Sequence, residues 1–370
     1  MQNILIFSHE FPPDIGGAGI VAQQYANSFS QLGYNVTVLT RYQKYYNNNN
    51  NSSIDYKIIM SKDYGKLWFL SYKNSINFSD FDLIILNDPA ATYVAGLYFD
   101  ETLFRKSVVF LHGTESEAIF KKPKLTMKLV FFKHFYTKTL NHCKQIVSVS
   151  NFMKTKFIKQ TQLINLKEKI IVNYTGIDKN EFYPSPNDIF KKKYAIPQNA
   201  QTILSVSRII KEKGYYEMLE IFKKLILTDQ GFRWIIVGTG NYLSELQNLV
   251  KTAKLEKYVI FTGGIPREML RDFYSNSDVF WLLSNFDESL ALVYIEAQTC
   301  GCPVIGRNKG GVREEISKNS GFLVENEFEV FQILKNKEYL KLKKENIIKF
   351  ANQFNSDIQA KNLLNAIDIK

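Results

Sequence analysis

Cysteine is scarce in this chain of 370 residues, with only Cys143, Cys300 and Cys302. Three thiols give no paired framework, which excludes a disulfide-stapled secreted domain, and Cys300 and Cys302 flank Gly301 in an apolar run where buried thiols are expected. A reducing compartment follows. Also missing is any run of about 18 uninterrupted apolar residues, so no membrane-spanning helix is expected. Met1-Gln2-Asn3 carries no basic charge, and Glu10 and Pro12 interrupt the first apolar run. No signal peptide is therefore expected, and the sequon Asn77-Phe78-Ser79 should stay unmodified. Acidic residues are lacking in one segment in particular. Residues 121–170 hold twelve lysines against the single acid Glu168, which accounts for the whole formal net charge of +11; the other 320 residues hold 35 basic and 35 acidic side chains. Spread evenly, the excess would be an ordinary surface property. Gathered into one block, it marks a candidate binding face for an anionic partner.

What is present reads as a folded globular protein: 45% hydrophobic, 14% aromatic and 22% charged residues. At about one domain per 150 residues, the length suggests two domains. Asn3 to Ser8 reads as a buried strand, followed by a loop with Pro12, Pro13, Gly16, Gly17 and Gly19. A helix comes next, with Val21, Tyr25, Phe29 and Leu32 at steps of four and three; Gly33 stops it before a second strand at Asn35 to Thr40. This unit implies a parallel sheet, with further strands expected at 82–86, 107–111, 145–149 and 169–172. Asn47 to Asn51 reads as a solvated loop. Two prolines make Tyr183-Pro184-Ser185-Pro186-Asn187 the best linker. Beyond it, strands at 202–206, 234–237, 259–261, 279–283 and 303–305 alternate with helical segments. The expected class is α/β: two Rossmann-like, doubly wound parallel-sheet domains facing a cleft. They span 1–183 and 184–340, with 341–370 forming a C-terminal helix able to pack back on the N-terminal domain.

Several short motifs point to anion and sugar chemistry. Gly16-Gly17-Ala18-Gly19 lets backbone amides approach an anion at a helix N-terminus, although a tight strand-to-helix turn explains it equally well and the G-x-G-x-x-G order of a dinucleotide site is absent. Ser207-Arg208, with Lys213-Gly214 five residues on, ends a strand; Arg offers a planar fork and Lys a point charge, a pairing suited to a diphosphate. Gly238-Thr239-Gly240 follows the next strand. The richest segment runs from Asp287 to Ala297. It sets Glu288 in a loop and Glu296 two helical turns into the following helix, where two carboxylates accept hydrogen bonds from hydroxyls at different depths.

Taken together, these residues resemble the retaining, nucleotide-sugar-dependent glycosyltransferases of GT-B family 4, which includes phosphatidylinositol mannosyltransferases, lipopolysaccharide glucosyltransferases and sucrose synthases. The resemblance rests on the E-x7-E pair Glu288 and Glu296, on Arg208 with Lys213, and on Gly238-Thr239-Gly240, Phe261-Thr262-Gly263, Ser277-Asp278-Val279-Phe280, Pro303-Val304-Ile305 and Gly310-Gly311. In the first half it rests on Phe11-Pro12-Pro13 with Gly16-Gly17, His112-Gly113, Val149-Ser150 and Gly176-Ile177-Asp178. It implies a metal-independent hexosyltransferase without a cofactor, whose substrate is a UDP- or GDP-sugar. Gly16 and Gly17, Arg208 and Lys213 would hold the diphosphate, with Gly238, Leu292 and Val293 nearby. Glu296 would bind the ribose, Glu288 the donor-sugar hydroxyls, and His112 would sit by the reacting sugar. Because diphosphate is the leaving group, Arg208 and Lys213 would stabilise charge that grows in the transition state. The chain departs from the family where Ser207 replaces Gly, Leu290-Ala291 replaces Phe-Gly, and Thr175 replaces Asn.

Within the basic block, helical spacing sorts Leu125, Leu129, Phe132, Tyr136 and Leu140 into a core-facing ridge. It sorts Lys124, Lys128, Phe131, Phe135, Lys138 and His142 into a second stripe. Lysines interleaved with phenylalanines suit an interfacial helix on anionic lipid. The expectation is a cytoplasmic enzyme peripheral to the inner face of the cytoplasmic membrane, acting on a glycan or lipid-linked acceptor in surface polysaccharide, lipopolysaccharide or glycolipid synthesis. Alternatively, Phe131 and Phe135 line the interdomain cleft or a second core contact and the lysines merely solvate. Two other functions stay open: another GT-B enzyme such as an epimerase or phosphorylase, and a nucleic-acid binder. The latter leaves the donor motifs unexplained and lacks a recognised motif, so no nucleic-acid partner is expected.

Overall fold

The computed structural model describes residues 2–13, 16–43, 55–187 and 189–368; the Asn47–Asn51 run lies outside them. The chain forms two compact units, Met1–Gly176 with Ser356–Lys370, and Ile177–Asn355.

The first unit holds seven strands: β1 (Asn3–Phe7), β2 (Asn35–Thr40), β3 (Lys57–Met60), β4 (Leu83–Leu86), β5 (Ser107–Leu111), β6 (Gln145–Ser148) and β7 (Ile170–Val172). They pair in parallel in the order β3-β2-β1-β4-β5-β6-β7, so the order reverses between β1 and β4. Central strands such as Ser-Val-Val-Phe-Leu are buried throughout, because helices cover both faces of a parallel sheet. The Gly17–Gln31 helix buries Val21, Tyr25 and Phe29 as its spacing predicts, and Gly33, at φ +88°, takes the left-handed turn that ends it.

The second unit holds β8 (Gln201–Val206), β9 (Phe232–Val237), β10 (Val259–Gly263), β11 (Val279–Leu282), β12 (Val304–Arg307) and β13 (Gly321–Val324). The order β10-β9-β8-β11-β12-β13, again all parallel, reverses between β8 and β11. Strands β3 and β13, each at one edge of its sheet, were not read from the sequence: they are four residues long and partly exposed, and their apolar runs are only three residues, Ile58-Ile59-Met60 and Phe322-Leu323-Val324.

Three expectations need correction. The unit boundary lies at 176/177, not 183/184, and 341–355 belongs to the second unit. Ile177 forms a parallel bridge with Asn355, while the Pro-rich segment is tied down inside the second unit: the Ser185 amide donates to Ser275 Oγ at 3.0 Å and the Asn187 amide to Asn276 Oδ1 at 2.6 Å. The expected single helix over 341–370 is instead Lys344–Ala351, Asn352–Phe354 and Ser356–Ala366, preceded by a separate turn at Glu338–Lys341. Only the last piece packs on the first unit, where Leu363 and Leu364 share a core with Tyr25 and Phe29 and Asn173 bonds the Tyr25 hydroxyl at 2.7 Å.

Third, the striped stretch 124–142 of the basic block is two helices, Leu125–Leu129 and Phe132–His142, separated by Val130 and Phe131. The Tyr93 hydroxyl donates to the Val130 carbonyl at 3.0 Å, taking an acceptor that a continuous helix would use, and Phe131 adopts a left-handed φ of 52°. The break rotates the first turn away from the core. Phe132, Tyr136 and Leu140 are buried as expected, but Leu125 and Leu129 are 72% and 69% exposed. The Phe132–His142 helix lies against the Pro89–Tyr98 helix. Phe132 stacks on Tyr93 at 4.4 Å and Thr139 donates to the Thr92 carbonyl at 2.8 Å. Gly96 permits this approach, since a Cβ there would overlap the Phe135 backbone carbonyl. Gly96→Ala is therefore expected to cost about 1–3 kcal/mol of stability, seen as a lowered urea midpoint; an unchanged midpoint would show that the two helices separate without penalty.

Candidate functional site

In open parallel sheets, ligands bind beyond the carboxyl ends of the strands where strand order reverses. In the second unit that point lies between β8 and β11, and the chain there supplies Arg208, Lys213, Ser284 and Glu288. Lys213 Nζ donates to Glu288 Oε1 at 2.6 Å, and Ser284 Oγ donates to the same oxygen at 2.6 Å. Both members of the pair are about 15% exposed. Arg208 is exposed and forms no ion pair among the described residues. Gly310-Gly311 presses on the Glu288 loop: the Gly311 amide donates to the Glu288 carbonyl at 2.7 Å, and a Cβ on Gly311 would overlap Ser289. Gly238, at φ +142°, has a similar structural duty, since a Cβ there would strike the Ser207 carbonyl. Leu292 and Val293 open the Leu292–Thr299 helix, where unpaired amides and the helix dipole favour an anion.

Glu315, which sequence reasoning passed over, fixes that helix start. Its Oε1 accepts the Ala291 amide at 2.5 Å, while Oε2 has no partner among the described residues. Burial pushes its carboxyl up to about 8, with Glu288 adding repulsion and the Ala291 amide opposing.

Glu296 is buried with both oxygens engaged. Arg267 Nη1 donates to Oε1 at 2.6 Å and the Tyr274 hydroxyl to Oε2 at 2.8 Å. Arg267 Nε also bridges to Glu181 Oε1 at 2.8 Å. Burial opposes the charge on Arg267, but Glu296 and Glu181 outweigh it and hold the guanidinium firmly protonated. No spacing rule links 181, 267 and 296, so this triad was invisible in the sequence.

In the first unit the reversal lies between β1 and β4. Asn87 Nδ2 donates to Ser8 Oγ and to the Ala18 carbonyl, both at 2.9 Å, and Asp88 Oδ2 accepts the Glu10 amide at 3.0 Å. Gly16 and Gly17 begin the first helix as expected, but a protein carboxylate already lies beside them. Glu10 Oε1 accepts the Gly19 amide at 3.3 Å and fills the space a Cβ on Gly16 would need. His112 Nε2 lies 2.6 Å from the Asn87 carbonyl; a carbonyl only accepts, so Nε2 carries a proton, and in the neutral ring the acceptor atom is Nδ1. Glu115 caps the turn, its two oxygens accepting the His112 and Gly113 amides at 2.7 Å each.

The second stripe of the basic block is divided. Lys124, Lys128 and Phe131 are exposed, whereas Phe135 and Lys138 are half-buried, Lys138 Nζ donating to the Gly96 carbonyl at 3.0 Å. Among the described residues, no group of three His, Cys, Asp or Glu could hold a metal ion.

The two halves match two family models in succession: glycosyltransferase family 4 over 15–181 and glycosyl transferases group 1 over 186–361. Only the two ends and a short junction are left unmatched. The chain belongs to the group 1 glycosyltransferases. Across 85% of its length this glycosyltransferase is 24% identical to the N-acetyl-alpha-D-glucosaminyl L-malate synthase of Bacillus anthracis, covering 81% of that protein. Over 40% of its length it is 30% identical to a GDP-mannose-dependent phosphatidylinositol monomannoside mannosyltransferase of Mycobacterium tuberculosis, covering 40% of it. An Anabaena protein solved in complex with UDP-glucose superposes with a TM-score of 0.77 at 18% identity, over 100% of both chains. The fold is GT-B, with two Rossmann-like parallel-sheet units.

Two measurements probe the site. Replacing Lys213 by Met leaves Glu288 charged without its partner and is expected to cost about 3 kcal/mol, most of it recovered when Glu288→Gln is added; a single variant as stable as the parent in urea would show the pair to be weak. For Glu315, the folded carboxyl holds its proton up to about pH 8, whereas an unfolded one loses it near 4.5. The folded state then binds the extra proton between those values, so stability is full below about 4.5 and falls as pH rises towards 8. Glu315→Gln, with no charge to bury, should gain on the parent over that range by on the order of a few kcal/mol; a stability difference constant with pH would refute the assignment.

Proposed function

We propose that this glycosyltransferase moves a hexose, with retention and without a metal ion, from a UDP- or GDP-sugar to a hydroxyl of a glycan or lipid-linked acceptor. The observation that carries the reading is the Lys213–Glu288 pair beside Arg208 where strand order reverses in the second unit. Arg208 and Lys213 meet the diphosphate and stabilise the charge it gains as the glycosidic bond breaks, while the Leu292 and Val293 amides receive its oxygens. Glu288 Oε1 is held by Lys213 and Ser284, which leaves Oε2 to accept donor-sugar hydroxyls. Glu296 takes the ribose once Arg267 gives way towards Glu181, to which its Nε is already bonded. His112 belongs to the reacting-sugar side, with Nδ1 as the acceptor atom, and the Gly16-Gly17 turn takes the donor diphosphate once the Glu10 carboxylate beside it gives way. The relatives support the donor class: one is named for GDP-mannose and one was solved with UDP-glucose.

No helix among the described residues is long and apolar enough to cross a membrane. The lysine block supports peripheral attachment to the anionic inner face of the cytoplasmic membrane, in surface polysaccharide or glycolipid synthesis.

A thermal-shift panel of UDP-, GDP- and ADP-sugars tests the donor site. At one hundred times Kd the correct donor should stabilise the protein by about 2.7 kcal/mol, and Arg208→Ala should lose most of that gain. With the matching acceptor, Arg208→Ala should lower kcat by roughly 100- to 1,000-fold, activity should persist in EDTA, and the product's anomeric proton should report retention. No shift with any nucleotide sugar would sink the proposal.

A further inference from the structure

Beside the break in the basic block lies a cavity of about 780 Å³, within the roughly 300–1,000 Å³ usual for small-molecule sites. Its walls are apolar: Ile119 and Phe120 on one side, Met127 and Phe131 on another, and Phe132 with Thr137 from the Phe132–His142 helix. The rim is cationic, with Lys128, Lys133 and Lys138 among the lining residues and Lys121, Lys122 and Lys124 close by in the chain. Glu117 is paired with Lys156 at 3.1 Å, and Glu101 approaches the lining residue His142 at 3.4 Å.

Two features beside the cavity cost free energy. Phe131 holds a left-handed backbone, unfavourable for a bulky residue by about 1–3 kcal/mol, and leaves its ring 69% exposed. Leu125 and Leu129 are exposed on the adjoining turn. Exposed leucines and a phenylalanine around a concave apolar pocket, ringed by lysines, match one kind of molecule: an amphiphile with a hydrocarbon chain and an anionic head. The groove is also tied to the reacting side of the first unit. Its Ile119–Phe120 wall belongs to the π-helical Ser116–Lys121 turn, which follows directly on Glu115, whose carboxylate caps the His112 and Gly113 amides.

We propose that this cavity holds a hydrocarbon chain of the acceptor, an anionic membrane lipid, with the lipid's charged head on Lys128 and Lys133. The inference rests on the lipid-linked acceptor reading and narrows it: the chain is taken into the protein rather than left in the bilayer. Chain burial makes binding resistant to salt, whereas attachment by lysines alone is screened.

The test uses the full-length protein and lysophosphatidylglycerol below its micellar concentration, with lysophosphatidylcholine and glycerol phosphate as controls, followed by calorimetry at low salt and at about 0.5 M salt. The expected result is uptake of the anionic amphiphile at both salt concentrations and none of glycerol phosphate. Thr137→Trp, which fills the cavity, should weaken uptake at least tenfold; Met127→Trp fills it from the opposite wall should the first variant fold poorly. Both should keep the full nucleotide-sugar thermal shift, so failure of the groove is distinguishable from failure of the donor site. Lys128→Glu with Lys133→Glu should weaken the anionic amphiphile at least tenfold and leave the zwitterionic one unchanged. Absence of uptake, uptake abolished by salt, or equal uptake by the parent and both filled variants would each overturn the proposal; the last two would point to headgroup adsorption, or to a face for an acidic protein.

Discussion

Lys213 and Glu288 meet at 2.6 Å in a largely dry setting, and the second unit's site is organised around keeping them there. Two charges withdrawn from water are tolerated only when geometry is good and the remaining hydrogen-bonding capacity is met. Ser284 supplies one further donor to Glu288, and the Gly311 amide fixes its carbonyl. Glu315 then holds the Ala291 amide, which sets the direction of the helix carrying Glu296. The pair thus joins the end of β8 to the loop after β11 across the reversal in strand order, and leaves Arg208 exposed and, among the described residues, without an ion-pair partner.

The first unit solves the same topological problem with hydrogen bonds rather than an ion pair. Asn87, Ser8 and Asp88 cross-link the ends of β1 and β4, and the Asn87 carbonyl fixes the tautomer of His112. A carboxylate from Glu10 occupies the amide-rich turn at Gly16–Gly19. The two units therefore share an architecture while presenting different chemistry at the equivalent place, charged in one and chiefly hydrogen-bonded in the other.

The basic block shows how a tertiary contact redirects a sequence pattern. Its lysines set a positive surface wherever the backbone goes, but one hydroxyl, that of Tyr93, decides which apolar side chains share that surface. By taking the Val130 carbonyl it ends one helix early, turns Leu125 and Leu129 outward and opens the cavity beside Phe131. The apolar face and the charge now coincide.

Sequence alone determined the two parallel α/β sheets, the buried runs of the central strands, the amphipathic first helix and the confinement of excess charge to residues 121–170, because each is written in local periodicity or composition. It also placed Arg208, Lys213 and Glu288 at strand ends through loop spacing. The tertiary structure decided what depends on partners far apart in the chain: Arg267 between Glu181 and Glu296, Glu315 beneath Ala291, the chain's return at Asn355 and Ser356, and the break at Phe131. A carboxylate's neighbours and a carbonyl's competing donor are set by packing across distant segments, and no local pattern encodes them.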